Sequence, residues 1–340
     1  MVTIYDIAQK ANVSPMTVSR VINKSGNISE TTRKKVEEII KEMGYIPNSS
    51  ARKLSTNKSK ILALVITDIT NPFFTKVTRG AEDKAMQMGY QLILCNTDEN
   101  LKKESDYINM LISSGVDGVL ITPTGDQSKK NLRTLIKHNI PFTLLDRKIE
   151  DIQSDEVNGD SREGTRKLIE HLINQGHEKI ALFNGPLNTS TARERQKAYI
   201  ETLKIYGLEA NEIYQSHYKQ ENANENVKKL LSLSITERPT AIFAANNFIA
   251  VNTIKALHLH NVNVPEEMSV VCFDDLGPVD LYPFLTVASQ PAYNFGFTGT
   301  QLLIDRIEKK APPEYRKIVL PAELIVRKSS INIKDTKTLS

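Results

Sequence analysis

Between residues 60 and 275, short apolar runs alternate with amphipathic stretches of helical period, and partway along the alternation starts again. Ile61–Ile66, Gln91–Cys95, Val119–Ile121 and Phe142–Leu145 read as the first strands, with Gly89 and Gly115 closing helices between them. A long helix is expected near Ser161–Gln175. Strands at Ile180–Phe183, Ala241–Ala244 and Ser269–Phe273 follow, with helices at Thr189–Tyr206, Phe248–His258 and Asn294–Ile307. Strands that are apolar throughout are covered on both faces, as in parallel sheets. Two successive βα series therefore predict an α/β body of two doubly wound parallel-sheet subdomains, with ligands beyond the carboxyl ends of the strands. The body spans 58–330: an N-subdomain of about 58–160 and 291–320, and a C-subdomain of about 161–290 and 321–330. The last strands, near Thr286–Ser289 and Ile318–Leu320, are expected to cross back between them. A polar tail, 331–340, carries no heptad pattern.

A different pattern precedes the body. Thr3 and Asp6 have the spacing of a capping box ahead of Ile4, Ile7, Ala8 and Ala11. Ser14-Pro15 is a helix start, because proline at the first helical position forfeits no hydrogen bond. Val18, Val21 and Ile22 then form one apolar stripe, while Met16, Thr17, Arg20 and Asn23 share the opposite face. A third helix is expected from about Ser29 to Met43, closed by Gly44. Three short helices, the second joined to the first by a tight turn, make a small all-α helix-turn-helix head over 1–47. Charge supports a nucleic-acid role. Residues 1–60 hold eleven Lys/Arg against five Asp/Glu, although the whole chain is only +4. Residues 48–57 are too short for a helix stable alone. Ala51 and Leu54 share a face beside Arg52 and Lys53, which suits a hinge helix that forms on DNA with leucine as a minor-groove wedge.

The stretch TIYDIAQKANVSPMTVSRVIN, followed by YIPNSSARKL, resembles the head and hinge of the lactose/galactose-repressor family of bacterial transcription regulators. That resemblance implies that Pro15 and Met16 are the variable base-reading pair, that Thr17, Ser19 and Arg20 contact DNA with Asn23 nearby, and that Leu54 sits at the operator centre. It extends the DNA-facing set to Thr3, Tyr5, Ser14, Asn48, Ala51 and Arg52. Side-chain chemistry agrees in part. Arg20 can bond guanine with two prongs and Thr17 and Ser19 can bond phosphate, whereas Pro15 and Met16 can only touch thymine methyls.

Polar residues also gather at the expected strand ends: Asp68, Asn71-Pro72-Phe73-Phe74, Asp146-Arg147, Arg193, Asn246-Asn247, Asp274-Asp275 and Gln290. A sugar needs two-pronged polar partners and an aromatic surface for its ring. The body is similar to periplasmic sugar-binding proteins and to the effector domain of the same repressor family. Resemblance to ribose-binding proteins implies effector contacts from Asn71, Phe73, Phe74, Asp146, Arg147, Arg193, Asn246, Asp274 and Gln290, with Tyr218 or Tyr293 as a further ring contact. Asn247 departs from the family's usual aspartate. Two arginines could equally neutralise a sugar acid or a sugar phosphate.

Composition removes other classes. The chain has no apolar run long enough to span a membrane and no signal-like start, and Cys95 and Cys272 fall inside expected strands. A cytoplasmic protein without membrane contact is expected. No nucleophile elbow or phosphate loop occurs, and His258 and His260 are spaced to diverge on a helix. Neither enzyme, metal nor cofactor is expected. The reading is a homodimeric regulator, a repressor of carbohydrate-use genes, that binds a near-palindromic operator and a small carbohydrate-like effector. Two alternatives stay open: a catabolite-control type of regulator with a protein co-regulator, and a sugar-binding transport or sensory protein.

Overall fold

A computed structural model describes residues 2–23, 25–45, 58–216, 223–276 and 283–333. The chain divides into two compact units, Met1–Lys60 and Ile61–Ser340. In the first, α1 (Ile4–Ala11) opens on a complete capping box. The Thr3 hydroxyl accepts from the Asp6 N–H at 3.4 Å, and the Asp6 carboxylate accepts from the Thr3 N–H at 2.8 Å. Helix α2 (Pro15–Ile22) has Pro15 at its first position, and Ser14 Oγ accepts from the Thr17 N–H at 3.1 Å. Helix α3 (Glu30–Glu42) is capped by Ser29, and Gly44 follows it at φ 57°. The apolar stripes of all three meet in one core of Ile7, Ala8, Ala11, Val18, Val21, Val36 and Ile39. Burying them turns the polar face of α2 outward.

The second unit contains two sheets. The first lobe begins β1 (Ile61–Ile66), α4 (Pro72–Gln87), β2 (Gln91–Asn96), α5 (Leu101–Ser114), β3 (Gly118–Ile121), α6 (Lys129–Lys137), β4 (Phe142–Leu145) and β5 (Asp155–Gly159). The chain then enters the second lobe through α7 (Ser161–Asn174), β6 (Ile180–Asn184), α8 (Ser190–Ile205), β7 (Ile213–Gln215), α9 (Ala223–Leu231), β8 (Ala241–Ala244), α10 (Asn247–Leu259), β9 (Ser269–Phe273) and β10 (Thr286–Ser289). It returns with α11 (Ala292–Ile307) and β11 (Lys317–Leu320), and leaves again for β12 (Glu323–Ile325). The sheet orders are β11-β5-β4-β3-β1-β2 and β12-β10-β9-β8-β6-β7. All pairings are parallel except β10 with β12. The lobes therefore repeat one topology, and equivalent strands end at equivalent places around the cleft. No helix among the described residues is long and apolar enough to cross a membrane.

Periodicity does not reveal β5, whose sequence DEVNG lacks an apolar run although every residue is buried. Its Asp155 is buried because Arg306 and Arg316 pair with it, at 2.8 and 2.9 Å. Charges matched from afar let a polar stretch enter a sheet.

Helices α4 and α11 support the rim of the first lobe, and two glycines let their backbones touch. A Cβ added to Gly296 would lie 1.9 Å from the Val77 carbonyl oxygen, and one on Gly80 would lie 2.0 Å from that of Tyr293. The opposing atoms are backbone, so no rotamer change relieves the clash. Gly296→Ala is expected to part the helices and lower stability by about 1–3 kcal/mol, read as a lower denaturation midpoint. An unchanged midpoint would show that the crossing tolerates a methyl group.

Candidate effector pocket and DNA-reading face

In the head unit, α2 presents its outer face from a capped, rigid start. Met16 is 63% exposed and Tyr5, on α1, is 68% exposed, so both side chains are accessible to a partner. Ser14 Oγ and Thr17 Oγ1 lie 2.9 Å apart, and Asn23 Nδ2 donates to Ser19 Oγ at 3.4 Å. Thr3 caps α1, Pro15 is half-buried, and Arg20 is exposed with no side-chain ion pair among the described residues. Asn48, Ala51, Arg52 and Leu54 lie outside the described residues, as does Tyr218.

The pocket lies between the lobes of the second unit. It is lined by Thr67, Asp68, Asn71, Phe73, Phe74, Glu99, Asp146, Arg147, Thr191, Arg195, Asn246, Phe248 and Asp274. The empty space among these side chains is about 470 Å³ with open solvent at its mouth included.

The repeated topology generates its centre. Asp146 follows β4 and Asp274 follows β9, the same position in each lobe, and both have left-handed backbones, φ 64° and 69°. Each donates its N–H to the neighbouring strand: Asp146 to the Val157 carbonyl at 2.9 Å, Asp274 to that of Ala288 at 3.0 Å. Aspartate is among the few residues that tolerate this conformation. Burial raises both carboxyls, that of Asp274 to about 6, against the opposing effect of Arg195 on each.

Asn71 and Asn246 cap α4 and α10, accepting from the Phe73 N–H at 3.0 Å and the Ile249 N–H at 2.8 Å. Capping uses their carbonyl oxygens, and their amide nitrogens make no hydrogen bond among the described residues. Asn247 Nδ2 reaches across the cleft to Asn71 Oδ1 at 3.0 Å, a donation that aspartate could not make. Phe73 packs edge-on against Phe74 and Phe295, with ring centroids 5.1 and 5.2 Å apart.

Several of the expected contacts fall outside this lining. Arg193 does not line the pocket; it pairs with Asp126 at 2.6 Å on the outside of the cleft. The arginine of α8 that reaches the pocket is Arg195, only 4% exposed, because two residues along a helix turn about 200° and reach the other face. The detectable signal was the buried stripe of α8, where Arg195 joins Ala192, Ala198, Tyr199 and Leu203. Its guanidinium stacks on Phe273 at 3.8 Å, donates to the Ala245 carbonyl at 2.5 Å and stands 3.9 Å from Asp274. Its Nε is buried with no hydrogen-bond partner among the described residues.

Gln290 is not part of the lining either. It stands where the chain crosses between lobes, and its Nε2 donates to Asp274 Oδ1 at 2.7 Å. Tyr293 bonds Asp83 at 3.1 Å and is likewise absent from the lining. Arg147 does line it, but Glu99 grips its guanidinium at 2.7 and 2.8 Å and the carbonyls of Pro123 and Thr124 accept from it. Sequence reasoning missed Glu99, Thr67, Thr191, Arg195 and Phe248. The lining carries four carboxylates and two guanidiniums.

Both units match known protein families. Residues 3–48 match the bacterial regulatory proteins of the lacI family. Residues 58–328 match the periplasmic binding proteins and sugar-binding domain of the LacI family. A ribose operon repressor of Halalkalibacterium halodurans is 37% identical over 97% of this chain and 97% of its own. The HTH-type transcriptional repressor PurR of Photobacterium profundum is 35% identical, covering 97% and 98%. Among solved structures, the lac repressor dimer bound to operator and the anti-inducer ONPF superposes with a TM-score of 0.84 at 26% identity, covering 97% of this chain and 99% of that one. A LacI-family regulator of Enterococcus faecium with bound ribose gives 0.70 at 27% identity, covering 80% and 99%. This chain therefore belongs to the LacI family and is a DNA-binding transcriptional repressor, not an enzyme.

Proposed function

We propose that this repressor controls carbohydrate-use genes in the cytoplasm, and that a small neutral sugar, ribose or a close relative, sets its affinity for DNA. The observation that carries the reading is Arg195, buried in the same lining as Asp146 and Asp274, whose Nε has no hydrogen-bond partner among the described residues. Buried donors without acceptors are costly, and a polyhydroxyl ligand would satisfy Arg195 and both carboxylates together. Charge favours a neutral ligand over the sugar acids and phosphates. Glu99 already neutralises Arg147, and the lining as a whole is acidic. The relative named ribose operon repressor and the ribose-bound structure agree.

The same reading makes the protein a homodimer on a near-palindromic operator. Ile93 and Leu94 of the edge strand β2 are 37% and 41% exposed, an apolar edge suited to a second copy. Arg20 would read a base from each half-site. Arg20→Ala is expected to weaken operator binding by about 1–3 kcal/mol and relax preference at one base position. Measured over a set of single-base operator variants, uniform weakening would instead make Arg20 a phosphate contact.

The effector reading is tested by thermal-shift titration of the full chain. The panel holds D-ribose, other pentoses, hexoses, ribose 5-phosphate, gluconate and, because Phe73, Phe74 and Phe248 could stack a flat ring, free purine bases. Ligand at ~100 times its dissociation constant adds about 2.7 kcal/mol of stability. A shift with a neutral sugar supports the reading; shifts confined to acids, phosphates or purines would overturn it.

A further inference from the structure

Arg193 is outside the pocket, yet it joins the two lobes. Asp126 lies in a short 3-10 turn (Asp126–Ser128) of the first lobe, and Arg193 lies on α8 of the second. Their pairing is two-pronged, with Arg193 Nη1 and Nη2 at 2.6 and 3.0 Å from the carboxylate. The Asp126 N–H also donates to the Asn188 carbonyl at 2.9 Å. Beside this, Lys148, just after β4, pairs with Glu194 at 2.8 Å and donates its N–H to Ser190 Oγ at 2.8 Å. The polarity alternates: the first lobe offers an acid and then a base, and the second answers with a base and then an acid. Glu104, fully buried, makes the first-lobe jaw rigid by accepting from the Thr124 N–H, Ser128 Oγ and Asn131 Nδ2, each at 2.8 Å.

We infer that the Asp126–Arg193 and Lys148–Glu194 pairs are a latch across the mouth of the cleft, holding the lobes closed over the effector without touching it. This rests on the effector reading above. The side chains of the two pairs are 37% and 48%, and 43% and 31%, exposed. Exposed pairs of this kind change an equilibrium by roughly 1.5- to 5-fold each. That is too little to keep an empty cleft shut all the time, because the carboxylates of Asp146 and Asp274 oppose each other across the lobes, so the ligand-free chain populates both open and closed forms. Once a ligand bridges those carboxylates, the latch adds to closure and slows release. Effector affinity is then set partly by charges outside the binding lining, and screening by salt lowers it.

The test uses the full chain and D-ribose, with affinity from calorimetry and release rate from stopped flow. Arg193→Asp places like charges at the mouth and is expected to weaken binding and speed release by about three- to tenfold. Adding Asp126→Arg to that chain reverses the pair and should restore binding to within about twofold. A contact to the ligand, or a fold defect, would not be rescued by reversal. An unchanged affinity and release rate in Arg193→Asp, or a loss that reversal leaves in place, overturns the latch. Failure of the wild-type chain to bind ribose would count against the effector reading alone. Spin labels at Lys130→Cys and Lys197→Cys, both exposed and on opposite lobes, then decide the latch in the ligand-free chain. The short inter-lobe distance should lose population in Arg193→Asp and regain it on reversal, and an unaltered distribution overturns the proposal.

Discussion

Asp155→Ala is expected to lower the stability of the protein by about 3–5 kcal/mol. Asp155 is 1% exposed and opens β5 at the base of the first lobe. Arg306, on α11, and Arg316, just before β11, both bond its carboxylate, and the Arg316 N–H donates to it at 2.8 Å. One carboxylate thus fixes three segments that are distant in the chain. Its removal leaves two guanidiniums, each 22% exposed, facing a void, although Arg316 retains Asp305 at 2.9 Å. The size of the protein translates this into a midpoint lower by roughly 4–8 °C. Acid supplies an independent check. Burial works to raise the Asp155 carboxyl, but the bonds from Arg316 and Arg306 outweigh it and hold the group below the ordinary carboxylate value. A depressed folded-state pKa contributes stability that is present above the unfolded value of about 4 and is lost as pH falls through the folded one. The gap between wild type and Asp155→Ala should therefore be full at neutral pH and shrink below about pH 4. A gap independent of pH would assign the effect to packing.

Arg195→Ala is expected to weaken ribose binding by about a hundredfold, ~2.7 kcal/mol, by removing charge-assisted donors and leaving Asp146 and Asp274 without their shared counter-ion. Operator binding measured without ribose should stay within about twofold of wild type, so the variant becomes a repressor that no longer responds. Arg195→Lys keeps the charge but loses the planar fork and the stack on Phe273, and should recover only part of the affinity. Calorimetry with ribose, alongside fluorescence anisotropy on an operator duplex, separates the two effects. If Arg193→Ala abolished ribose binding while Arg195→Ala spared it, the assignment of the pocket arginine would fail.

The two arginines also show what a linear reading can resolve. Arg193 and Arg195 are both plausible partners for a ligand at the amino end of α8, and composition does not distinguish them. The stripe of Ala192, Ala198, Tyr199 and Leu203 does, because a residue in register with it must face inward. Glu99 left no comparable trace. Its role depends on reaching Arg147, far along the chain, and no local pattern encodes that meeting. Gln290 carried the right chemistry in the right neighbourhood, but the crossing between lobes puts Asp274 within its reach.

Local features were determined by sequence alone. The caps of α1 and α2 join residues three apart, the stripes of the head helices repeat within one turn, and apolar runs mark most of the parallel strands. Such features depend on atoms a few residues away, so their pattern survives in one dimension. The tertiary structure alone decided β5, whose charges needed Arg306 and Arg316. It decided the facing aspartates as well, which two copies of one topology bring to a common cleft. It also decided that Arg193 joins the lobes through Asp126 and that Arg195 meets Asp274, since both are contacts between segments that sequence separates and folding brings together.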